Sequence, residues 1–303
     1  MKFFIVKLLL SLVNDLKRSV IFLKNLTKSV GFIIYFIAMQ CIASVGFVFY
    51  KMFFDSEWSD KVYTLVSNNQ MFSKEYLELV SQAVMPMLIV ADILIMIPML
   101  LYAYKKKIKL YRKIEKVNAL QIVSLGLVLN FIVSFIVESL PASITTSQYD
   151  QLTSLILTDN VFITFLTSAI LAPVIEELIF RFGICGIYKE EREKAILVSS
   201  FMFGLAHFNL IQSTYAFILG IVLAYVYTKS QNLLTSTLMH ITINGSSILY
   251  EYFNHTVVLI AGIAIIIVTL LMMNRRDTNG KYRKKNFGNN CYDFSNYRNS
   301  NEL

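Results

Sequence analysis

Interruptions are scarce in this chain. Four prolines and eleven glycines are spread over 303 residues, and they do not form the paired glycine–proline breaks of discontinuous transporter helices. Charge is equally thin, at 16% against 56% hydrophobic residues. With a mean hydropathy of +0.58, that balance excludes an ordinary soluble domain. Three cysteines (Cys41, Cys185 and Cys291) lack the spacing of a disulfide framework or a metal site, and two lie in apolar segments as packing residues. No internal repeat, coiled-coil heptad or low-complexity tract is present. A net charge of +8 would point to nucleic acid in a soluble protein. Here basic loops beside membrane spans account for it, so no nucleic-acid partner is expected.

What is present are apolar runs of about 20 residues, the length a bilayer demands. They fall near 30–54, 79–104, 118–140, 161–187, 195–211, 213–229, 233–250 and 256–274. The expected architecture is therefore an all-α polytopic membrane protein with about eight transmembrane helices. Residues 1–29 begin like a signal peptide, but Lys7 splits the apolar run and Asp15, Lys17 and Arg18 replace a cleavage site. They read as a retained amphipathic segment on the membrane surface. Residues 30–117 supply two spans and their loops, 118–274 the remaining core, and 275–303 a polar, asparagine-rich tail expected to be disordered.

Lysine and arginine counts orient the chain. Six lie in the first 28 residues, seven in 105–117, three in 188–194, one at Lys229 and seven after residue 274. Loops 138–160, 208–213 and 250–256 have none, and 51–78 has three against five acids. The alternation places both termini in the cytoplasm of a multi-pass cell-membrane protein. The single tryptophan, Trp58, lies in the outer loop and reads as an interfacial anchor. Abundant Ile, Lys, Asn and Phe suggest an AT-rich bacterial genome.

Against this background LAPVIEELIFRFG, residues 171–183, is anomalous. A charge near the bilayer centre costs about 3 kcal/mol on insertion scales, and this span holds Glu176, Glu177 and Arg181. Counting ~1.5 Å per residue from the basic ends puts Glu176 at roughly 16 Å, His207 at roughly 18 Å, His240 at about 11 Å and Asn244 at about 17 Å. Four polar side chains from three spans thus share one stratum. Glu177 and Arg181, four apart, lie on one helical face and can neutralise each other. Glu176 points ~100° away from Glu177, so the two should not face the same partner, and Glu176 is left without a local counterion. His240 and Asn244, again four apart, present one hydrogen-bonding surface. A free carboxylate, two imidazoles and a carboxamide are suited to activating water and stabilising an oxyanion. Singly, each could equally be helix–helix glue or an ion site.

Three motifs carry a resemblance. EELIFR (Glu176 to Arg181), FGLAH (Phe203 to His207) and HITIN (His240 to Asn244) resemble, in order, the EExxxR, FxxxH and HxxxN motifs of the CPBP family. That family comprises type II CAAX prenyl proteases and bacteriocin-processing or bacteriocin-immunity proteins, also called the Abi family. The resemblance covers about residues 118–250. It implies an intramembrane endopeptidase in which Glu176 and His207 polarise water, His240 and Asn244 stabilise the oxyanion, and Glu177, Arg181 and Phe203 support them. A metal-free glutamate mechanism is the favoured expectation. The alternative is zinc on Glu176, His207 and His240, a legitimate donor set, although no HExxH pairing fixes the histidines. The implied partner is a membrane-associated peptide or protein substrate within the bilayer, in peptide maturation, bacteriocin immunity or signalling-peptide processing. The alternative function is a non-proteolytic membrane scaffold or bacteriocin-immunity binding protein.

Overall fold

The computed structural model describes residues 2–71, 73–139 and 160–278, and every regular element among them is helical. The order is α1 (Lys2–Phe54), α2 (Ser56–Ser67), α3 (Lys74–Lys105) and α4 (Lys116–Glu138). After these come a composite helix α5 (Val161–Cys185), then α6 (Arg192–Leu205), α7 (Leu210–Ser230), α8 (Leu233–Tyr252) and α9 (His255–Thr278).

Six of these helices are long and apolar enough to cross a membrane: α1 from Lys17, α3 from Pro86, α4, α5, α7 and α9. The chain is thus a multi-pass membrane protein. The two other expected spans fall short for different reasons. α6 has 14 residues, about 21 Å of helix against a hydrocarbon core of about 30 Å. α8 has 20 residues, but they include Thr235, Ser236, Thr237, His240, Thr242, Asn244, Ser246 and Ser247, which lower its hydropathy. Both are interior helices nonetheless: ten residues of α8 and six of α6 are buried. No helix break separates a surface segment 1–29 from the following span, because α1 runs unbroken from Lys2 to Phe54. At the other end α9 continues to Thr278. The rest of the expected tail lies outside the described residues.

α5 is the centre of the bundle. It starts at an Asn160 cap, whose side chain accepts from the N–H groups of Phe162 and Ile163. It then alternates wide and ordinary winding: π-helix over Phe165–Leu171, α-helix over Ala172–Glu177, and π-helix again over Leu178–Cys185. Pro173 has no N–H to give to the carbonyl one turn earlier, which suits it to the junction where wide winding ends. All eight residues of the second π segment are buried, with α1, α3, α6, α7 and α8 packed against it.

Close contacts fix the remaining helices. α6 and α7 form a hairpin in which a Cβ on Gly204 would come within 2.8 Å of the Ser213 carbonyl oxygen. Gly126 on α4 meets Thr242 of α8 in the same way, at 3.0 Å. Outside the bundle, α1 and α9 expose large apolar side chains such as Phe53, Ile260 and Leu270, as lipid contact requires. The outer loop is not a free anchor. Asp55 caps α2 by accepting from the Trp58 N–H, and Trp58 is buried, its indole donating to the Leu79 carbonyl at 3.2 Å. Trp58 therefore fastens α2 to α3.

Gly204→Ala is expected to cost about 1–3 kcal/mol, because the neighbour it meets is backbone and cannot rotate away. Gly31→Ala and Gly46→Ala, with nothing within 4 Å, should leave the melting temperature in detergent unchanged or slightly raised. Equal melting temperatures for all three variants would show that the α6–α7 contact is slack.

Candidate active site

The structure brings the two glutamates together on one imidazole. His240 points from α8 into the angle between Glu176 and Glu177. Its Nδ1–H donates to Glu177 Oε1 at 3.0 Å, and its Nε2 lies 3.5 Å from Glu176 Oε2. The expectation that consecutive glutamates cannot share a partner is thereby corrected. The two side chains do diverge, but an imidazole carries nitrogens on opposite edges and reaches both. Glu176 therefore has a neighbour that the helix geometry of its own span did not supply. Its side chain is 19% exposed, against 0% for Glu177.

Glu177 and Arg181 make the expected ion pair, Nε to Oε2 at 3.3 Å, with both side chains fully enclosed. The contact is a charge pair rather than an aligned hydrogen bond. Nη1 and Nη2 of Arg181 have no hydrogen-bond partner among the described residues. Part of the guanidinium's environment is aromatic, with its Cζ 4.7 Å from the centre of the Phe203 ring. Phe203 is the packing hub of the site. Its ring meets His207 edge-on at 4.9 Å, His240 at 5.6 Å and Phe180 at 5.1 Å.

His207 lies just past the C-terminus of α6, in the turn to α7, and not within a span as expected. The backbone reverses through Phe208 at φ 52°, and Asn209 caps α7 by accepting from Ile211 and Gln212. Its Nδ1 is 2.8 Å from the Phe203 carbonyl oxygen. A carbonyl only accepts, so Nδ1 carries a hydrogen and Nε2 is the nitrogen turned to other partners. No ion pair joins His207 to Glu176 among the described residues. Asn244 lies one turn beyond His240 and turns its amide to α5, donating from Nδ2 to the Ser168 carbonyl at 3.1 Å. One amide hydrogen is thus engaged, and the second is left for another acceptor.

Two residues that the sequence reading passed over border the site. Asp92 lies on α3 beside the buried stripe Ala91, Ile95, Met99 and Ala103, close enough to Glu176 for their charges to interact. A lone carboxylate in the apolar run 86–105 was the signal available for it. Tyr111, in the loop after α3, has its hydroxyl pKa raised by partial burial and by the negative charge of Glu177. The glutamate pair therefore lies within electrostatic reach of the bundle's basic end.

Zinc on Glu176, His207 and His240 is the alternative that the sequence motifs imply. Among the described residues no three His, Cys, Asp or Glu side chains gather into a metal-holding group. His240 Nδ1 and His207 Nδ1 engage Glu177 and the Phe203 carbonyl, so Nε2 is the nitrogen of each ring that a metal would use.

Residues 158–246 match the family described as Type II CAAX prenyl endopeptidase Rce1-like, a similarity that supports a CPBP-type intramembrane protease. No curated protein and no solved structure matches the chain.

Removing Arg181 alone leaves an enclosed carboxylate without its guanidinium counter-ion. Arg181→Met should destabilise the fold by about 3–5 kcal/mol, read as a lower melting temperature. Adding Glu177→Gln to that variant should recover much of the loss. If the double variant is no more stable than Arg181→Met, the pair is not what keeps Glu177 charged.

Proposed function

We propose that this chain hydrolyses a peptide bond of a membrane-associated peptide or protein with a water activated by Glu176 and His207, without a metal. The observation that best supports this is His240, anchored through Nδ1 on Glu177 with Nε2 turned to Glu176 in an otherwise apolar interior. A base oriented by a partner that is itself held by a third charged group is the arrangement that hydrolytic catalysis repeatedly uses.

The chemistry balances with these groups alone. Glu176 takes one proton from the water as its oxygen bonds to the peptide carbonyl carbon, and His207 Nε2 accepts the second water hydrogen in a hydrogen bond. Negative charge then develops on the former carbonyl oxygen. The remaining amide hydrogen of Asn244 and, when it carries a proton, His240 Nε2 are the donors for that oxyanion. The C–N bond breaks as the proton on Glu176 passes to the leaving amine, which restores the carboxylate. Glu177 and Arg181 hold His240, and Phe203 spaces the two imidazoles.

The substrate setting follows the family resemblance: maturation of a peptide, bacteriocin self-immunity, or processing of a membrane-embedded signalling peptide. A non-proteolytic scaffold or immunity partner would need no ionised Glu176, which gives the deciding comparison. Membranes from cells with the intact protein and with Glu176→Gln should differ by at least one accumulated precursor. Identical proteomes, together with an unchanged cellular phenotype, would favour the scaffold.

With a cleaved substrate in hand, Glu176→Ala, His207→Ala and His240→Ala should each abolish hydrolysis while the protein still inserts. Asn244→Ala should lower the rate about tenfold or more, through loss of one oxyanion donor. Cleavage that survives exhaustive chelation supports the metal-free route. Complete loss restored by zinc would overturn it, and normal cleavage by Glu176→Ala would overturn the catalytic assignment.

A further inference from the structure

The segment between α3 and α4 is the most charged element that the catalytic proposal leaves unused. Seven of the twelve residues 105–116 are lysine or arginine, and Glu115 is the single acid among them. Loops of this composition are commonly mobile, but here the backbone is tied down at three points. It leaves α3 through Lys107 at φ 54°, with the Ile108 N–H returning to the Ala103 carbonyl at 2.9 Å. Further on, the Leu233 N–H donates to the Leu110 carbonyl at 3.0 Å. Asn232 then grips Arg112 on both sides, accepting from its N–H at 3.0 Å and donating to its carbonyl at 3.0 Å. The same Asn232 side chain caps α8 through the Leu234 N–H.

This clamp sorts the side chains. Ile108 and Leu110 pack against the hydrophobic core, while Lys105, Lys106, Lys107, Lys109, Arg112 and Lys113 are exposed. The turn before the ribbon exposes apolar and aromatic groups: Leu101 at 52%, Tyr102 at 53% and Tyr104 at 82%. Tyrosines beside an apolar span mark the depth where hydrocarbon gives way to headgroups. The cations that follow directly are at headgroup level. Among the described residues Lys105, Lys106, Lys107 and Lys109 make no ion pair. The first 28 residues carry six basic residues, and the stretch after residue 274 carries seven against three acids. In the nearby loop Lys194 is already paired with Glu191. The surface made by Lys105, Lys106, Lys107 and Lys109 is open to an anionic partner.

We propose that residues 105–113 form a pre-ordered docking surface for the headgroups of anionic phospholipids at the basic end of the bundle. A fixed row of cations at the membrane surface attracts anionic headgroups at each basic position, and the Asn232 clamp removes the ordering cost a loose loop would incur. Lipid is favoured over an acidic protein because the ribbon is continuous with the lipid-facing aromatic turn.

The test is lipid retention by the full-length protein in neutral detergent, offered equal amounts of phosphatidylglycerol and phosphatidylcholine and measured by native mass spectrometry. The wild type should retain phosphatidylglycerol in preference. Lys105, Lys106, Lys107 and Lys109 changed together to Gln should lose that preference by about tenfold or more, and the same four changed to Arg should keep it. The basic N-terminal and C-terminal stretches are unaltered in both variants, so the difference reports on the ribbon alone. A Gln variant with undiminished preference would overturn the inference. So would a wild type that binds an oligoglutamate peptide through these lysines while ignoring phosphatidylglycerol. Cleavage is not part of the readout, so proteolysis and lipid docking can fail separately.

Discussion

The carboxylate of Glu177 is wholly enclosed, and the groups around it keep it charged there. An isolated buried carboxylate would give up its charge rather than bear the cost of desolvation. Arg181, from the next turn, and His240, from another helix, approach its two oxygens. This interaction sets the rest of the site. It fixes which edge of the His240 ring faces inward, and hence which edge faces Glu176. It also holds the guanidinium over Phe203, whose edges space the two histidines. The division of labour follows burial: the fully enclosed glutamate orients, and its partly exposed neighbour is the one water can reach.

The helix carrying both glutamates is itself unusual. The α-wound stretch Ala172–Glu177 that carries them has wide winding on either side. π-Helical turns occur disproportionately at functional sites, and here one of them supplies the Ser168 carbonyl that receives the Asn244 amide. The clamp at Asn232 ties the opposite end of α8 to the basic ribbon. The helix bearing His240 and Asn244 is therefore fixed at its start by a surface loop and along its length by the glutamate helix.

Much of this was legible in the chain. Six apolar runs announced themselves by length, and the Glu177–Arg181 pair followed from four-residue spacing, which survives in the folded protein. Other features were hidden for identifiable reasons. Hydrogen-bond register leaves no mark on composition, so the wide turns of α5 could not be read. His207 was placed inside a span because FGLAHFNL continues the apolar run past the end of α6. The capping asparagine at 209 was the clue that a new helix begins there. Trp58 looked like an interfacial residue by its type and loop, and only the folded chain shows its indole on the Leu79 carbonyl. The bridging role of His240 needed the third dimension, since no spacing rule within one helix reveals what arrives from another.

A wide turn holds more residues than an α-turn of the same angular extent, so each π stretch of α5 behaves as an accommodated insertion. Shortening such a stretch by one residue would let it relax to ordinary winding with both flanks close to register, whereas a gap in the α-wound stretch Ala172–Glu177 would rotate one side by about 100° relative to the other. The glutamates would swing off His240, although every residue in contact with it was still present in the chain. A single-residue gap in α5 should therefore be absorbed in the first wide stretch and fatal in the α-wound turn that carries the glutamates.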